Sequence, residues 1–111
     1  MTRRRNCWQV MTMKIRELDY RIEYVPADSP ELFAEGEQRL GICNYLKQII
    51  FVSNDLTAVR RRRILAHEIT HAFIEAYGHY ARRNSFDAED ICEFISTYGR
   101  EIHELTEEAM R

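Results

Sequence analysis

Hydrophobic and polar residues alternate along the first third of the chain. The alternation runs from Leu18 to Tyr24 and is rich in β-branched and aromatic residues, which predicts a strand within residues 13–25. Two prolines within residues 26–30 end this strand. Residues 31–38 are then predicted to form a short helix.

A second segment of strand formers covers residues 40–53. A turn within residues 44–48 would make this segment a hairpin, and without that turn it is one bulged strand. Ser53, Asn54 and Asp55 follow as three candidate N-caps for a helix.

The second half of the chain has the period of helices. Residues 56–77 carry one apolar stripe, and Gly78 is the predicted stop. The stripe consists of Leu65, Ile69, Ala72, Phe73 and Ala76. A second helix is predicted after Ser85, and its stripe consists of Ile91, Phe94, Ile95, Tyr98, Ile102 and Leu105. Strands followed by two helices predict an α+β fold, with a short antiparallel sheet packed on the helices.

Length and composition limit the chain to one domain. It has 111 residues, of which 45 % are hydrophobic and 31 % charged, enough for one packed core. Residues 13–111 are predicted to form it, after a flexible, basic leader in residues 1–12. The net charge of −2 excludes a nucleic-acid binder that depends on bulk charge. No apolar run approaches the roughly 20 residues of a membrane span, and we expect a cytoplasmic protein without membrane contact.

The cysteines do not form a metal-binding or disulfide pattern. Cys7, Cys43 and Cys92 are widely spaced, and no two of them form a CxxC motif. We expect three reduced thiols, with Cys43 and Cys92 at least partly buried, because free cysteine is among the most buried residue types.

The sequence from His67 to His71 is an HExxH motif inside the first predicted helix. Residues four apart on a helix lie about 6 Å apart along its axis, so both imidazoles can reach one zinc ion. Glu68 lies about 100° around the helix from His67, close enough to take a proton from a zinc-activated water as that water attacks a carbonyl. Both histidines face away from the apolar stripe. The motif therefore predicts a zinc-dependent hydrolase rather than a pair of surface histidines.

A catalytic zinc site needs a third protein ligand, and three candidates fit poorly. Glu75 lies one further helical turn beyond His71, about 12 Å along the axis from His67. His79 does not have the spacing of the longer HExxHxxGxxH pattern, and His103 lies far along the second helix.

The acidic start of the second helix is the better source. Glu89, Asp90 and Glu93 lie there, on a helix that the preceding loop allows to pack antiparallel to the first. Glu89 and Glu93 share one helix face, so one carboxylate can bind zinc while the other holds the distal N–H of a ligating histidine.

The motif and the acidic helix together resemble the gluzincin group of zinc metallopeptidases. The sequence segments 65–72 and 89–94 are similar to the corresponding segments of two groups of proteins, the minimal gluzincins and the ImmA/IrrE-like metallopeptidases of prophages and mobile elements. This resemblance implies a small zincin-like domain whose motif glutamate, Glu68, is the general base. It also implies that a downstream glutamate, Glu89, is the third ligand.

The resemblance leaves the third ligand open by one residue. With Glu89 as ligand, Glu93 follows at an ExxxE spacing and would orient a ligating histidine. If the ImmA/IrrE motif is instead aligned so that its phenylalanine falls on Phe94, the ligand is Asp90.

The activity that the resemblance implies is that of a zinc metalloendopeptidase. Its substrate would be a peptide or protein, with a regulator of a mobile element as one candidate, and an extended substrate would pair with a strand within residues 40–53. The alternative is a catalytically silent zincin-fold protein that binds metal and recognises a partner. Glu68 argues against this alternative, because its evident purpose beside two histidines is base catalysis. Direct nucleic-acid binding is not expected, since no helix-turn-helix segment is evident.

Two further features bear on the site. Residues 60–63 are four consecutive arginines, most simply a solvated helical turn; the alternative is recognition of an acidic substrate or a phosphate, with Arg60 nearest the histidine face. Four residues are candidate hydrogen-bond donors to the oxyanion of the tetrahedral intermediate, although each of them is more simply interpreted as a core or rim residue. These candidates are Tyr77, Tyr80, Tyr98 and His79.

Overall fold

The computed structural model describes residues 8, 10–77 and 87–111. It contains six strands, one 3-10 turn and two helices. In chain order these are β1 (Met11–Ile15), β2 (Leu18–Val25), the 3-10 turn Pro30–Leu32, β3 (Phe33–Ala34), β4 (Glu37–Gln38), β5 (Gly41–Asn44), β6 (Ile49–Ser53), α1 (Ala58–Tyr77) and α2 (Ala88–Ala109). The strands precede the helices, which confirms the α+β class. Neither helix of the described part is long and apolar enough to cross a membrane.

Four strands form the main sheet in the order β1-β2-β6-β5. The pairs β1–β2 and β5–β6 are antiparallel, but β2 and β6 are parallel, with Ile22 beside Ile50 and Tyr24 beside Val52. The predicted antiparallel sheet is therefore wrong at this central pair. Alternation along a strand specifies which side chains are buried, but it carries no information on the direction of the neighbouring strand.

One face of this sheet packs on α1 to form the core. The buried residues of β1, β2 and β6 alternate as a half-buried sheet requires, and the predicted apolar stripe of α1 is buried against them. The core contains Met13, Ile15, Tyr20, Ile22, Ile50, Val52, Leu65, Ile69, Ala72, Phe73 and Ala76. Hydrophobic periodicity was thus sufficient to identify the buried face of α1.

The N-terminal part of the sheet is a hairpin rather than one strand. Residues 13–25 are predicted as a single strand, but a turn at Arg16 and Glu17 divides the segment into β1 and β2, with Arg16 at φ 58°. Strand β1 begins at Met11, so its first two residues belong to the predicted leader of residues 1–12. Trp8 packs edge-on against Tyr24, with ring centroids 5.0 Å apart. Residues 1–7 and 9 lie outside the described part.

The short helix predicted for residues 31–38 is wrong. Beyond the 3-10 turn, the chain forms the two-stranded β3–β4 hairpin. Its two turn residues, Glu35 and Gly36, both have positive φ, at 54° and 80°. This is the combination that a tight type I′ hairpin turn requires. Glutamate is an uncommon first residue of such a turn, so the sequence did not signal it.

Both helices begin near, but not at, their predicted N-caps. At the start of α1 the side chain of Thr57 accepts a hydrogen bond from the Arg60 N–H at 3.2 Å, so Thr57 replaces the candidates at residues 53–55. At the start of α2, Asp87 and Asp90 form a reciprocal capping box. The predicted N-cap Ser85 and the stop Gly78 lie outside the described residues.

Arg61 connects three parts of the molecule, although the sequence presents it as one of four solvated arginines. Its side chain is buried and lies over the rings of Trp8 and Tyr24, at 4.3 and 5.2 Å from their centroids. The guanidinium also donates a 2.8 Å hydrogen bond to the carbonyl of Ala109 at the end of α2, where the helix dipole is negative. The expectation of a solvated turn is therefore wrong for Arg61.

Replacing Arg61 should destabilise the fold more than replacing its neighbour. We expect Arg61→Met to lower the free energy of unfolding by about 2–4 kcal/mol, because buried carbonyl and ring partners lose their cation. The matched variant Arg62→Met removes only a partly exposed ion pair with Glu107 and should cost less than about 1 kcal/mol. Urea unfolding measures both. Equal losses would show that the buried contacts of Arg61 do not stabilise the protein.

Candidate active site

The HExxH motif lies in the middle of α1, with its two histidines on an open face. His67 and His71 are exposed, and their ring centroids are 4.9 Å apart with the ring planes at 71°. Two imidazoles that bind one tetrahedral zinc ion have their ring centres about 5 Å apart. This donor pair therefore fits zinc. The pKa of His71 is lowered, first by desolvation and second by the electrostatic effect of His67. A lowered pKa favours the neutral imidazole, which is the form that binds metals.

Strand β5 runs along this face of α1 at very short range. It is one of the two edge strands of the main sheet, and Gly41 at its start faces Ile64 and Glu68. A Cβ atom on residue 41 would overlap Cγ2 of Ile64 and lie 3.3 Å from Cγ of Glu68. A β-branched side chain on a helix has little freedom to move away. Glycine is therefore what permits the strand to approach the motif so closely.

Glu68 is held between the helix and this strand. Its side chain is 7 % exposed, and burial raises the pKa of its carboxyl. Three effects oppose that rise: the electrostatic attraction of His67, a hydrogen bond from the backbone N–H of Cys43, and the charge of Arg39. A carboxylate oriented by a backbone donor, with its pKa raised by burial, suits a general base.

The backbone of β5 presents polar groups toward α1. The carbonyl of Leu40 accepts a 2.9 Å hydrogen bond from the Ser53 N–H, so it points toward β6. Because backbone groups alternate along a strand, those of Gly41 and Cys43 point the other way, toward the motif. The Cys43 N–H is used by Glu68. The strand edge therefore lies at the site itself.

Two cavities meet at the motif. The larger, about 800 Å³, runs from His67 and Glu68 toward the first turns of α1, and we call it the large groove. The smaller, about 310 Å³, runs from the same two residues past His71 and is bounded by β5 and Tyr45. Together they form a continuous depression centred on the HExxH residues. The depression extends to both sides of the motif, which suits an extended ligand rather than a compact one.

Tyr45 and Cys43 are site residues that sequence reasoning missed. Both line the smaller cavity with the histidines. Burial, followed by the charge of nearby groups, raises the pKa of each to about 12, so both stay protonated at neutral pH. The Cys43 thiol is half-buried, as predicted, whereas Cys92 is exposed, contrary to prediction. Tyr45 follows a strand in a tight turn, and no sequence signal distinguishes it from an ordinary strand former.

The acidic start of α2 is not assembled with the histidines in this structure. Glu89 and Glu93 are exposed, and in the described part of the chain no third His, Cys, Asp or Glu joins the pair into a metal-binding group. Glu89 precedes the buried Phe94 by five residues, which places the two side chains about 140° apart around α2. Glu89 therefore lies on the exposed side of α2. The carboxylate of Asp90 accepts a 3.3 Å hydrogen bond from the Asp87 N–H in the capping box.

The other sequence candidates lie away from the histidines or outside the described residues. The rings of Tyr77 and Tyr98 pack against each other between the helices, with centroids 4.3 Å apart and planes tilted by 30°, which supports a packing role for both. His103 lines a different depression, on the far part of α2. Tyr80 and His79 lie in the segment 78–86, outside the described part.

The apolar stripe of α2 is only partly used. Phe94 and Ile102 are buried as predicted, but Ile91 and Ile95 remain 53 % and 58 % exposed. With Thr70, Ile74 and Phe94 they line a shallow apolar depression between the two helices. The stripe predicted from periodicity is therefore wider than the face that α2 buries in the described structure.

Comparison with known protein families places this site in context. The family model of Peptidase_M78, the IrrE N-terminal-like domain, matches residues 11–98. This range covers most of the chain and includes β1, the whole of α1 and the first half of α2. The chain therefore belongs to this family of peptidases, and the resemblance to ImmA/IrrE-like proteins is confirmed. No curated protein and no solved structure matches the chain significantly.

Proposed function

We propose that this protein is a zinc-dependent metallopeptidase that hydrolyses peptide bonds, with Glu68 as the general base. The observation that carries the proposal is the position of Glu68: a buried carboxylate beside two exposed imidazoles, at the junction of two cavities. A pair of surface histidines would need neither the buried glutamate nor the strand edge beside it. Family membership supports the peptidase class.

In this proposal His67 and His71 hold zinc through their ring nitrogens. When bound, zinc supplies Lewis-acid chemistry, which polarises the scissile carbonyl and lowers the pKa of water toward about 7. The Glu68 carboxylate takes a proton from the attacking water and delivers it to the departing amide nitrogen. The hydrogen bond from the Cys43 N–H holds that carboxylate in one orientation during both transfers.

The substrate would lie extended along β5. The backbone groups of Gly41 and the carbonyl of Cys43 face the motif, and a peptide strand can pair with such an edge. This arrangement requires an unfolded or loop segment of a protein as substrate. The resemblance to prophage-encoded peptidases makes a regulatory protein of a mobile element the candidate natural substrate, and cleavage of such a purified regulator would test it.

Substitution of the base provides the decisive test of catalysis. We expect Glu68→Gln to keep the fold and bound zinc while lowering kcat/KM for peptide cleavage by several orders of magnitude, because only the proton acceptor is removed. A fluorogenic peptide assay, with zinc measured per chain, separates the two effects. Equal cleavage by the variant would eliminate Glu68 as base, and absence of cleavage by the unaltered protein would favour the silent zincin-fold alternative.

Zinc binding itself is tested on the ligands. His67→Ala and His71→Ala should each abolish stoichiometric zinc binding, because either change removes one ligand and leaves the other histidine without its chelating partner. For the third ligand we propose Glu89, with Glu93 orienting a ligating histidine. In the described part of the chain neither carboxylate forms an ion pair, whereas Asp90 is engaged in the capping box.

The three acids give distinguishable outcomes. Glu89→Ala should weaken zinc affinity more than Glu93→Ala, for which a loss of about 10- to 100-fold is typical of a ligand's hydrogen-bond partner. Asp90→Ala should lower helix stability by about 0.5–2 kcal/mol through the lost cap, with little effect on zinc. Chelator competition at one pH measures the affinities. The greatest loss in Asp90→Ala or Glu93→Ala would reassign the ligand to that residue.

Tyr45 is proposed as the donor to the carbonyl oxygen that becomes negatively charged. Tyr45 lines the same cavity as the histidines, and a pKa raised to about 12 keeps its hydroxyl protonated. Tyr45→Phe should lower kcat by about 10²- to 10³-fold, with smaller changes in KM and unchanged zinc content, since the donor acts mainly on the transition state. Steady-state kinetics with the same peptide measures this. An unaltered kcat would exclude Tyr45 from the reaction.

A further inference from the structure

Two of the four consecutive arginines have no structural explanation. Arg61 is buried against aromatic rings and Arg62 forms an ion pair with Glu107. Arg60 and Arg63 are exposed, and within residues 8, 10–77 and 87–111 their side chains make no hydrogen bond or ion pair. The run therefore contains two residues that stabilise the fold and two that do not.

The position of these arginines is unfavourable for the helix itself. They lie in the first two turns of α1, where the dipole is positive, and that first turn contains no acidic residue. Cations at this end of a helix lower its stability. Helix stability therefore does not account for Arg60 and Arg63.

Both arginines line the large groove that ends at the motif. Arg63 precedes His67 by four residues and Arg60 precedes Arg63 by three, so all three lie on one helix face. On the opposite wall, Arg39 is bound to Glu35 at 2.9 Å and lies 4.0 Å from Glu37, so its charge is already compensated. Of the three arginines that line the groove, Arg60 and Arg63 are therefore the two that form no ion pair with an acidic side chain of the described residues.

We propose that Arg60 and Arg63 select peptide substrates that carry aspartate or glutamate on one side of the scissile bond. This inference rests on the proposed function and adds a substrate class to it. Along the axis of α1, Arg63 lies about 6 Å and Arg60 about 10 Å from His67. An extended peptide advances about 3.3 Å per residue, so the acidic residues lie roughly two to three positions from the cleaved bond. Guanidinium groups bind such carboxylates in a forked, charge-assisted geometry.

A random decapeptide library provides the probe for cleavage. Cut sites of the unaltered protein, read by mass spectrometry, should show Asp or Glu enriched about tenfold at roughly two to three positions from the bond, on one side of it. The Arg60→Gln/Arg63→Gln double variant should lose this enrichment, and Arg60→Glu/Arg63→Glu should enrich Lys and Arg instead. Arg62→Gln is the matched control and should keep the original pattern. No acidic enrichment, or enrichment that survives the double glutamine variant, would overturn the proposal.

A binding measurement separates this proposal from the proposed function. Two fluorescein-labelled decapeptides, identical except for three Asp or three Lys residues, are titrated into Glu68→Gln protein and followed by anisotropy. The Asp peptide should bind more tightly, with the difference reduced by salt and removed by Arg60→Gln/Arg63→Gln. If no library peptide is cut but this difference persists, only the catalytic proposal fails. A labelled single-stranded oligonucleotide that binds more tightly than the Asp peptide through the same arginines would overturn the peptide assignment.

Discussion

The close contact between β5 and α1 at Gly41 determines the geometry on which the site depends. Without a side chain at residue 41, the strand backbone lies directly against Ile64 and Glu68. The same contact buries Glu68 and allows its carboxylate to accept a hydrogen bond from the Cys43 N–H. The burial of Glu68, which raises the pKa of its carboxyl, and the strand edge beside it therefore have one structural cause. Any larger residue at this position would separate them.

Arg61 stabilises the first turns of the same helix. Its contacts with Trp8, Tyr24 and the Ala109 carbonyl join the N-terminal segment, the sheet and the end of α2 around the first turns of α1. The large groove lies on another side of those turns. Consecutive arginines point in different directions around a helix, so one run can stabilise the core, pair on the surface and line a groove.

The fold was predictable where its signals are local. Hydrophobic periodicity identified α1, its buried stripe and strand positions in β2 and β6, because burial repeats every 3.6 residues on a helix and every two on a strand. The β3–β4 hairpin was missed because its turn uses Glu35 rather than a common turn residue. The parallel direction of β6 was missed because it depends on the path of the whole connection from residue 26 to residue 48.

By itself, the sequence determined the chemistry of α1: two histidines and a glutamate whose spacing places them on neighbouring positions of one helix turn. Only the tertiary structure decided what surrounds them. The approach of β5 at Gly41, the cavity position of Tyr45 and the separation of Arg61 from Arg60 and Arg63 are contacts between distant segments. Helical spacing is a local property of the backbone, whereas these contacts depend on how sheet and helices pack, and no short pattern of residues encodes that packing.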